Sequence, residues 1–229
     1  MPSSKMFTVK SVPKVSWSSP HALNFTPKPL TFGLLCLGLI VFGIGEALLI
    51  AANAGVSPWT VLAQGIAIHS GLRIGLATFA VSVAVLLLWI PLRQRPGLGT
   101  ILNALLIAAA IDISLPYLPS PDNYSLKIVE TIIGILLVGI GSGLYLITNL
   151  GPGPRDGLMT GLQRRTRLPI AWVRMSIEII VVILGWSLGG VVGAGTLLFA
   201  LCIGWSVSVG LFLVAWCSDF LAAEVVTVD

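Results

Sequence analysis

The sequence predicts an all-α, polytopic helical membrane protein, and three observations lead to this fold class. Of its 229 residues, 56% are hydrophobic and only 10% are charged, whereas a soluble domain carries about 25% charged residues. The mean hydropathy is +0.99. The apolar residues form continuous runs near the roughly 20 residues that a membrane-spanning helix needs, and not the alternating strands of a barrel. Lipid is therefore the main solvent of this chain.

The apolar runs predict six spanning helices. The first run is followed by Ala52-Asn53-Ala54, which imitates the cleavage site of a signal peptide. Because the run is longer than the roughly 7–15 apolar residues of a signal peptide, we expect this helix to be retained. The six spans cover roughly 31–53, 74–92, 98–117, 126–149, 170–189 and 195–217.

A short segment opened by glycine and proline follows the first span, and another follows the fourth. Gly55 and Pro58 open the first segment, and Gly151 and Pro154 open the second. Glycine just past a helix end and proline at the first helical position indicate that one helix stops and another starts. Each segment then runs for about a dozen residues, fewer than a span needs. We expect two short helices that lie at the interface or enter the membrane part-way.

An internal repeat relates the two halves of the chain, because a shift of 96 residues aligns them without a gap. Shared apolar composition could pair leucines by accident, but it would not align asparagine, proline, glycine and threonine in one register. We therefore predict a polar, basic N-terminal lead (1–30), two tandem membrane repeats (31–122 and 123–218) and a C-terminal tail (219–229). The matched pairs include Gly38/Gly134, Gly45/Gly141, Asn53/Asn149, Gly55/Gly151, Pro58/Pro154, Gly97/Gly193, Gly99/Gly195 and Thr100/Thr196.

The placement of lysine and arginine predicts the orientation in the membrane. If the short helices do not cross, all of the 13 basic residues except Arg73 and Lys127 fall on one side, which puts both termini in the cytoplasm. Three spans per repeat then make the repeats inverted, as is common in secondary transporters. In a rival topology each short helix spans and the repeats are parallel, and the charge split is nearly as uneven. The shortness of the segments favours the inverted version.

The two helix breaks are the most informative positions for function. A helix that stops in the membrane frees carbonyl groups, and the next helix offers unpaired N–H groups and a positive dipole end. Transporters use paired breaks to hold ions and anionic substrates. Alternatively, these residues only cap one helix and start another, and Arg155 only balances its neighbouring acid. The candidate binding residues at the breaks are Asn53, Gly55, Pro58, Asn149, Gly151, Pro154 and Asp156.

Polar residues inside the predicted spans supply further candidates, because ionisable groups are costly in a membrane. Glu46 is the strongest, since only apolar residues and glycines surround it. Asn103 is a further polar contact, at the position where the second repeat has Phe199. Arg174 and Glu178 lie four residues apart on one helical face, which predicts an ion pair.

Two other groups are expected to have structural roles. Asp112 lies close to the exit of its span, where its carboxylate could reach water. Tryptophans near the span ends are typical of interfacial anchors. These are Trp59, Trp89, Trp172 and Trp216.

The motifs predict neither an enzyme nor a bound cofactor or metal. The chain has no P-loop, H-E-x-x-H or dinucleotide fingerprint. Its cysteines, Cys36, Cys202 and Cys217, sit singly in apolar runs as small hydrophobes. Residues 185–189 match the G-x-S-x-G nucleophile elbow, but the match closes a membrane helix and lacks the strand that the elbow needs. The net charge of +4 follows from membrane topology and does not indicate nucleic-acid binding.

The sequence around the second break resembles a known family. Residues 149–159 read NLGPGPRDGLM and are followed by Arg164-Arg165-Thr166, and residues 95–103 read RPGLGTILN. Together they resemble the bacterial YczE/YitT-like membrane proteins, over most of residues 31–215. This resemblance implies a small multi-spanning protein of the bacterial inner membrane, and it implies no particular activity.

We therefore expect a small transporter or exporter whose site lies between the repeats, near the two breaks. Such a site is asymmetric, because Trp59-Thr60 stands where the second copy has Arg155-Asp156. An alternative is a membrane scaffold or accessory subunit of a larger complex, without a central cavity. A third is the substrate-binding component of a larger transporter. The expected partners are membrane lipid, together with a small-molecule substrate or protein subunits, and no nucleic acid.

Overall fold

The computed structural model describes the backbone of residues 12–226 and the side chains of residues 12–218. Every regular element in that part of the chain is helical, which confirms the predicted all-α fold. The first part of the predicted lead and the side chains of the predicted tail lie outside it. The helices are α1 (Pro29–Ala52), α2 (Pro58–Ser70), α3 (Ile74–Trp89), α4 (Leu98–Ser114, continued by a 3-10 turn, Leu115–Tyr117), α5 (Tyr124–Ile147), α6 (Pro154–Thr166), α7 (Ile170–Ser187) and α8 (Ala194–Val226).

Five helices, namely α1, α4, α5, α7 and α8, are long and apolar enough to cross a bilayer. The 16-residue α3 meets α2 at a bend of 113°, and this bent pair passes the same test as one unit. α3 stops at Trp89 because Pro91, which has no N–H, stands in the following turn. α8 continues to Val226, beyond the predicted end at 217, because no glycine or proline follows Gly210. The protein is thus a polytopic membrane protein, while the inverted orientation of its repeats stays a prediction.

The helices of the two repeats interlock. α1, α4, α5 and α8 form a bundle in which α1 packs on α5, α4 on α1 and α8 on α5. The other four helices pack mainly on one another, and α3 joins them to the bundle through α4. Here the short helix α2 of the first copy packs on α7 of the second, and α6 of the second packs on α3 of the first. Each short helix therefore contacts the span that follows its counterpart in the other copy.

Glycines bring α1 and α5 close together at their crossing. A Cβ atom on Gly38 would lie 2.9 Å from the carbonyl oxygen of Gly141, and one on Gly45 would lie 2.8 Å from that of Gly134. The 96-residue shift relates Gly38 to Gly134 and Gly45 to Gly141, so each copy supplies the same two positions. Small residues are needed here because membrane helices associate by close packing and not by a hydrophobic drive.

Both breaks have the same left-handed backbone. Asn53 ends α1 with a φ of 49°, and Asn149 follows α5 with a φ of 53°. Asparagine tolerates this conformation better than most residues with a side chain. Gly55 and Gly151 follow with φ values of 109° and 113°, which L side chains rarely adopt. A Cβ atom on Gly55 would also lie 2.6 Å from the backbone nitrogen of Gly193. Both the backbone and the neighbouring copy therefore require glycine.

Backbone hydrogen bonds close each break against the other copy. The Gly99 N–H, at the start of α4, donates to the Leu150 carbonyl at 2.7 Å. The Gly195 N–H, at the start of α8, donates to the Ala54 carbonyl at 2.8 Å. These two bonds are related by the 96-residue shift. The buried carbonyl groups just after α1 and α5 are thus paired inside the protein.

The described part of the N-terminal lead covers the second break. The Ser19 N–H donates to the Thr148 carbonyl at 2.9 Å, and the Asn149 side-chain amide donates to the Ser19 carbonyl at 2.8 Å. Within residues 12–218 the first break has no such cover, and Asn53 is exposed. The lead therefore makes the two breaks unequal.

The tryptophans near the helix ends divide into two pairs. Trp172 and Trp216 are exposed, at 62% and 59%. Trp59 and Trp89 are buried, so their prediction as interfacial anchors is wrong. The interlocking of the repeats encloses both rings, and the Trp89 indole donates to the Pro154 carbonyl at 3.0 Å.

On the lipid-contacting faces of α7 and α8, exposed apolar side chains include Ile179, Ile183, Trp186, Leu197 and Leu201.

The glycine crossing generates a prediction about stability. We expect Gly45→Ala to lower the free energy of unfolding by about 1–3 kcal/mol, because the added methyl group forces α1 and α5 apart. Gly33→Ala, in the same helix, is the matched control, since a Cβ atom there meets nothing within 4 Å. We expect the control to be neutral or slightly stabilising. Thermal unfolding in mild detergent, followed by circular dichroism, measures both, and equal losses would contradict the close crossing.

Candidate functional site

A cavity of about 330 Å³ lies between the two copies, and both copies line it. Its wall combines apolar side chains with hydroxyl, amide, carboxylate and guanidinium groups. Many of the lining positions correspond to one another under the 96-residue shift. These pairs are Phe42/Val138, Glu46/Ser142, Ser57/Gly153, Trp59/Arg155, Thr78/Arg174, Ser82/Glu178, Asn103/Phe199 and Ile107/Ile203.

Glu46 forms the most deeply buried polar part of the wall. Glu46 has no solvent exposure and lies in the last two turns of the spanning helix α1. The Ser57 hydroxyl lies 3.0 and 2.9 Å from its two carboxylate oxygens, and the Thr60 hydroxyl donates to Oε2 at 2.8 Å. Ser57 is the N-cap of α2 and Thr60 is in its first turn, so the start of α2 holds the carboxylate in place. Its hydrogen-bond partners in the described chain are neutral hydroxyls.

Arg155 lies at the start of α6 and contacts the equivalent position of the first copy. Its guanidinium carbon is 5.3 Å from the centre of the Trp59 ring, which is within the range of a cation–π contact. The carboxylates of Glu46, Asp156 and Glu178 act on it electrostatically. Among residues 12–218, however, Arg155 has no ion-pair partner within 4 Å and donates no hydrogen bond. Its N–H groups are therefore available to a ligand in the cavity.

The other charged side chains of the cavity each have a hydrogen-bond partner. Asp156 accepts a hydrogen bond of 2.9 Å from the Tyr145 hydroxyl. Arg174 and Glu178 form the expected ion pair on α7, with a distance of 2.9 Å between Nε and Oε1. The second copy thus supplies both arginines and two of the three carboxylates. The first copy supplies one carboxylate, together with hydroxyl groups and an amide.

The structure separates the predicted site residues into two groups. Glu46, Pro58, Asn103 and Asp156 all line the cavity. The residues that shape the breaks do not line it, because their role in the fold is to turn the backbone and to meet the other copy. Residues of this second group are Asn53, Gly55, Asn149, Gly151 and Pro154.

Several cavity residues were not among the predicted candidates, although the sequence carries a signal for some of them. Thr78 and Ser82 lie four residues apart in α3, which places them on one helical face. Under the 96-residue shift they correspond to Arg174 and Glu178. Polar residues at this spacing in both copies indicate a shared polar face. Tyr145 has no such signal, because its first-copy equivalent is a leucine.

Two other acidic residues lie outside the cavity wall. The Asp112 carboxylate has a hydrogen-bond partner inside the protein, since its Oδ1 accepts a hydrogen bond of 2.7 Å from the Gly75 N–H at the start of α3. It therefore ties α4 to α3. Glu130 is buried in α5, and neither of its carboxylate oxygens has a hydrogen-bond partner in the described chain.

The chain belongs to the DUF6198 family of unknown function, whose family model matches residues 30–211. An uncharacterised protein of Haemophilus influenzae is 45% identical over 86% of this chain and 89% of the relative. The uncharacterised membrane protein YczE of Bacillus subtilis is 33% identical over 73% of this chain and 79% of the relative. The uncharacterised protein YyaS of the same organism is 27% identical over 73% and 85%. No solved structure shows significant similarity. The expected YczE-like membership is confirmed.

The hydrogen bond between Glu46 and Thr60 can be tested by a double-mutant cycle. Thr60→Val leaves the buried carboxylate with one hydroxyl fewer, which we expect to lower the free energy of unfolding by about 1–3 kcal/mol. In a Glu46→Gln background the same change should cost measurably less, because no buried charge loses a donor. Thermal unfolding of the four proteins in mild detergent gives the coupling energy.

The control for this cycle is Thr78→Val. The Thr78 hydroxyl also lines the cavity, but it donates to the Ile74 carbonyl of its own helix. The loss of unfolding free energy caused by Thr78→Val should therefore be the same with glutamate or glutamine at position 46. If Thr60→Val also lowers the free energy of unfolding by the same amount with glutamate and with glutamine at position 46, the hydrogen bond between Thr60 and Glu46 contributes no coupling energy.

Proposed function

We propose that this member of the DUF6198 family is a small bacterial inner-membrane transporter that binds its substrate in the cavity between the repeats. The observation that carries the proposal is a spanning-helix carboxylate, Glu46, in the same cavity as Arg155, which has no acceptor among the described side chains. Charged groups inside a membrane protein are costly, and they mark substrate or ion pathways by default. A purely structural bundle gains nothing from enclosing both.

Arg155 gives the cavity its preference for an anionic group. A guanidinium binds carboxylate or phosphate by charge-assisted hydrogen bonds. It lies in the first turn of α6, where the positive end of the helix dipole also favours an anion. The Trp59 ring, which belongs to the other copy, contacts this guanidinium through a cation–π interaction. A ligand at this position would thus contact both repeats at once.

Glu46 is suited to couple binding to a proton or a small cation. Its carboxylate is enclosed, and its contacts are hydroxyls, which accommodate either protonation state. A substrate anion at Arg155 would bind more favourably when Glu46 is neutralised, since both charges act on the same guanidinium. We therefore assign Glu46 to coupling and Arg155 to substrate recognition.

The proposed orientation follows from the charges that flank the helices. With both termini in the cytoplasm, Arg164, Arg165 and Arg167 at the end of α6 lie on the cytoplasmic side, as the positive-inside rule requires. The repeats are then inverted, which is the arrangement in which transporters place substrate sites at the repeat interface. We propose no catalytic role. The Ser187 hydroxyl of the G-x-S-x-G match donates to the Leu184 carbonyl of its own helix.

The scaffold alternative rests on the outward faces of α7 and α8, which carry many exposed apolar side chains. Lipid covers such faces equally well in a membrane protein. A scaffold would also need no charged central cavity. For these reasons we prefer a transporter over an accessory subunit.

Cysteine accessibility tests the transport proposal. In a variant with Cys36, Cys202 and Cys217 replaced by serine, we expect Asn103→Cys to react with a charged, membrane-impermeant thiosulfonate from both faces of the membrane. The reason is that alternating access opens the cavity to each side in turn. The measurement compares right-side-out with inverted vesicles.

The matched control is Ala109→Cys on the same helix. Ala109 is exposed on the face of α4 away from the cavity, so lipid should keep the charged reagent from it. Reaction of Asn103→Cys from one face alone would indicate a binding component in place of a transporter. The absence of reaction from both faces would favour the scaffold.

A further inference from the structure

An apolar groove of about 590 Å³ lies beside the polar cavity, between α3 and α7. Few contacts join these two helices directly, and α2 and α6 form the floor between them. On the α3 wall, Ala80 and Ala84 are exposed, and their small side chains leave the groove open towards the bilayer. On the α7 wall, Ile180 is 56% exposed. The volume is within the range of about 300–1,000 Å³ that ligand pockets occupy.

The groove and the cavity share a wall. The Trp59 ring lines both spaces. Adjacent residues of α3 do the same, since Ser82 lines the cavity and Val81 lines the groove. On α7, Glu178 lines the cavity and Ile177 lines the groove. A charged space and a hydrocarbon space are therefore adjacent, and the same helices form both.

We propose that these two spaces together bind a single-chain anionic amphiphile that enters from the bilayer and passes beside the Trp59 ring, which lines both spaces. Its charged head contacts Arg155 in the cavity, and its hydrocarbon chain lies in the groove between α3 and α7. This inference rests on the proposed function and names the chemical class of its cargo.

The unpaired guanidinium, and not the net charge of the cavity wall, decides the head group. Arg155 presents N–H donors without an acceptor in the described chain, and a carboxylate or phosphate matches their geometry. A neutral amphiphile would leave these donors unused. The other carboxylates of the cavity are already held by Tyr145 and Arg174, so they do not compete as acceptors for the guanidinium at hydrogen-bond distance.

The groove decides the rest of the molecule. A fully polar solute would leave a bilayer-facing space, lined by Leu88, Leu158 and Val181 among others, without a function. Lipid tails are as apolar as this lining, so the groove admits a chain without strongly favouring it. The affinity then comes from the head group, and the groove sets the route and the shape of the ligand.

Photolabelling of the full chain in phosphatidylcholine nanodiscs tests the proposal. The probe is dodecanoate with a diazirine on its terminal carbon, and peptide mass spectrometry locates the label. We expect saturable labelling of α3 and α7 along the groove. Excess dodecanoate should displace the probe, whereas dodecanol, which lacks the charge, and butyrate, which lacks the chain, should not. This competition uses the unaltered protein and does not depend on a variant.

Three variants locate the two ends of the ligand. Ala84→Trp fills the groove and should reduce labelling about tenfold, while Leu87→Trp, on the lipid-facing side of the same helix, should leave it unchanged. Arg155→Gln should weaken the apparent affinity by about tenfold, which corresponds to one charge-assisted hydrogen bond. Arg167→Gln, outside the cavity, is its control.

Several results would overturn the inference. Equal displacement by dodecanol, or equal effects of Ala84→Trp and Leu87→Trp, would identify ordinary lipid contact. Displacement by phosphatidylglycerol alone would exclude a single-chain ligand. If the groove is not labelled but Asn103→Cys reacts from both faces, the cargo class is wrong and the transporter stands. If that cysteine is also unreactive, the transport proposal itself fails.

Discussion

The structure depends on the pairing of backbone groups where α1 and α5 stop inside the protein. The carbonyl groups of Ala54 and Leu150, just after these helices, are buried and need a donor from the protein. Here the start of the last helix of the other copy supplies the missing donor, through Gly99 to Leu150 and through Gly195 to Ala54. Each break is therefore closed partly by its own copy and partly by the other. These bonds tie the two repeats together, as does the packing of α2 on α7 and of α6 on α3.

This constraint explains why the repeat is clearest in residues that do not line the cavity. Gly55, Gly151, Gly97 and Gly193 meet across the two breaks, where a Cβ atom would lie within about 3 Å of the other copy's backbone. Thr100 donates to the Pro152 carbonyl at 2.7 Å in the same region. Backbone geometry fixes these residues in both copies. The cavity side chains carry no such restriction, so the copies differ there.

The sequence was sufficient for the fold class, the approximate helix positions and the location of the breaks, but not for the number of spans, since α3 by itself is shorter than a span needs. Apolar run length and paired Gly and Pro residues decide these features locally. It also singled out Glu46, which lines the cavity, because a lone carboxylate within an apolar span stands out. It could not show that Trp59 and Trp89 are buried, since the interlocking of the repeats is a long-range effect. For the same reason, the sequence could not show that Asn53 and Asn149, unlike Glu46, lie outside the cavity wall.

Asymmetry in the cavity has a consequence for the proposed transport cycle. In an inverted repeat, exchange of the two repeat conformations exchanges the environments of equivalent positions. Trp59 and Arg155 are equivalent and touch each other, so their contact can persist through such an exchange. The pairing of Glu46 with Ser57 cannot be reproduced in the second copy, where Ser142 and Gly153 stand instead. The Glu46 carboxylate is therefore the group whose hydrogen bonds must differ between the two states. A proton or cation that neutralises it in one state would bias the exchange towards that state.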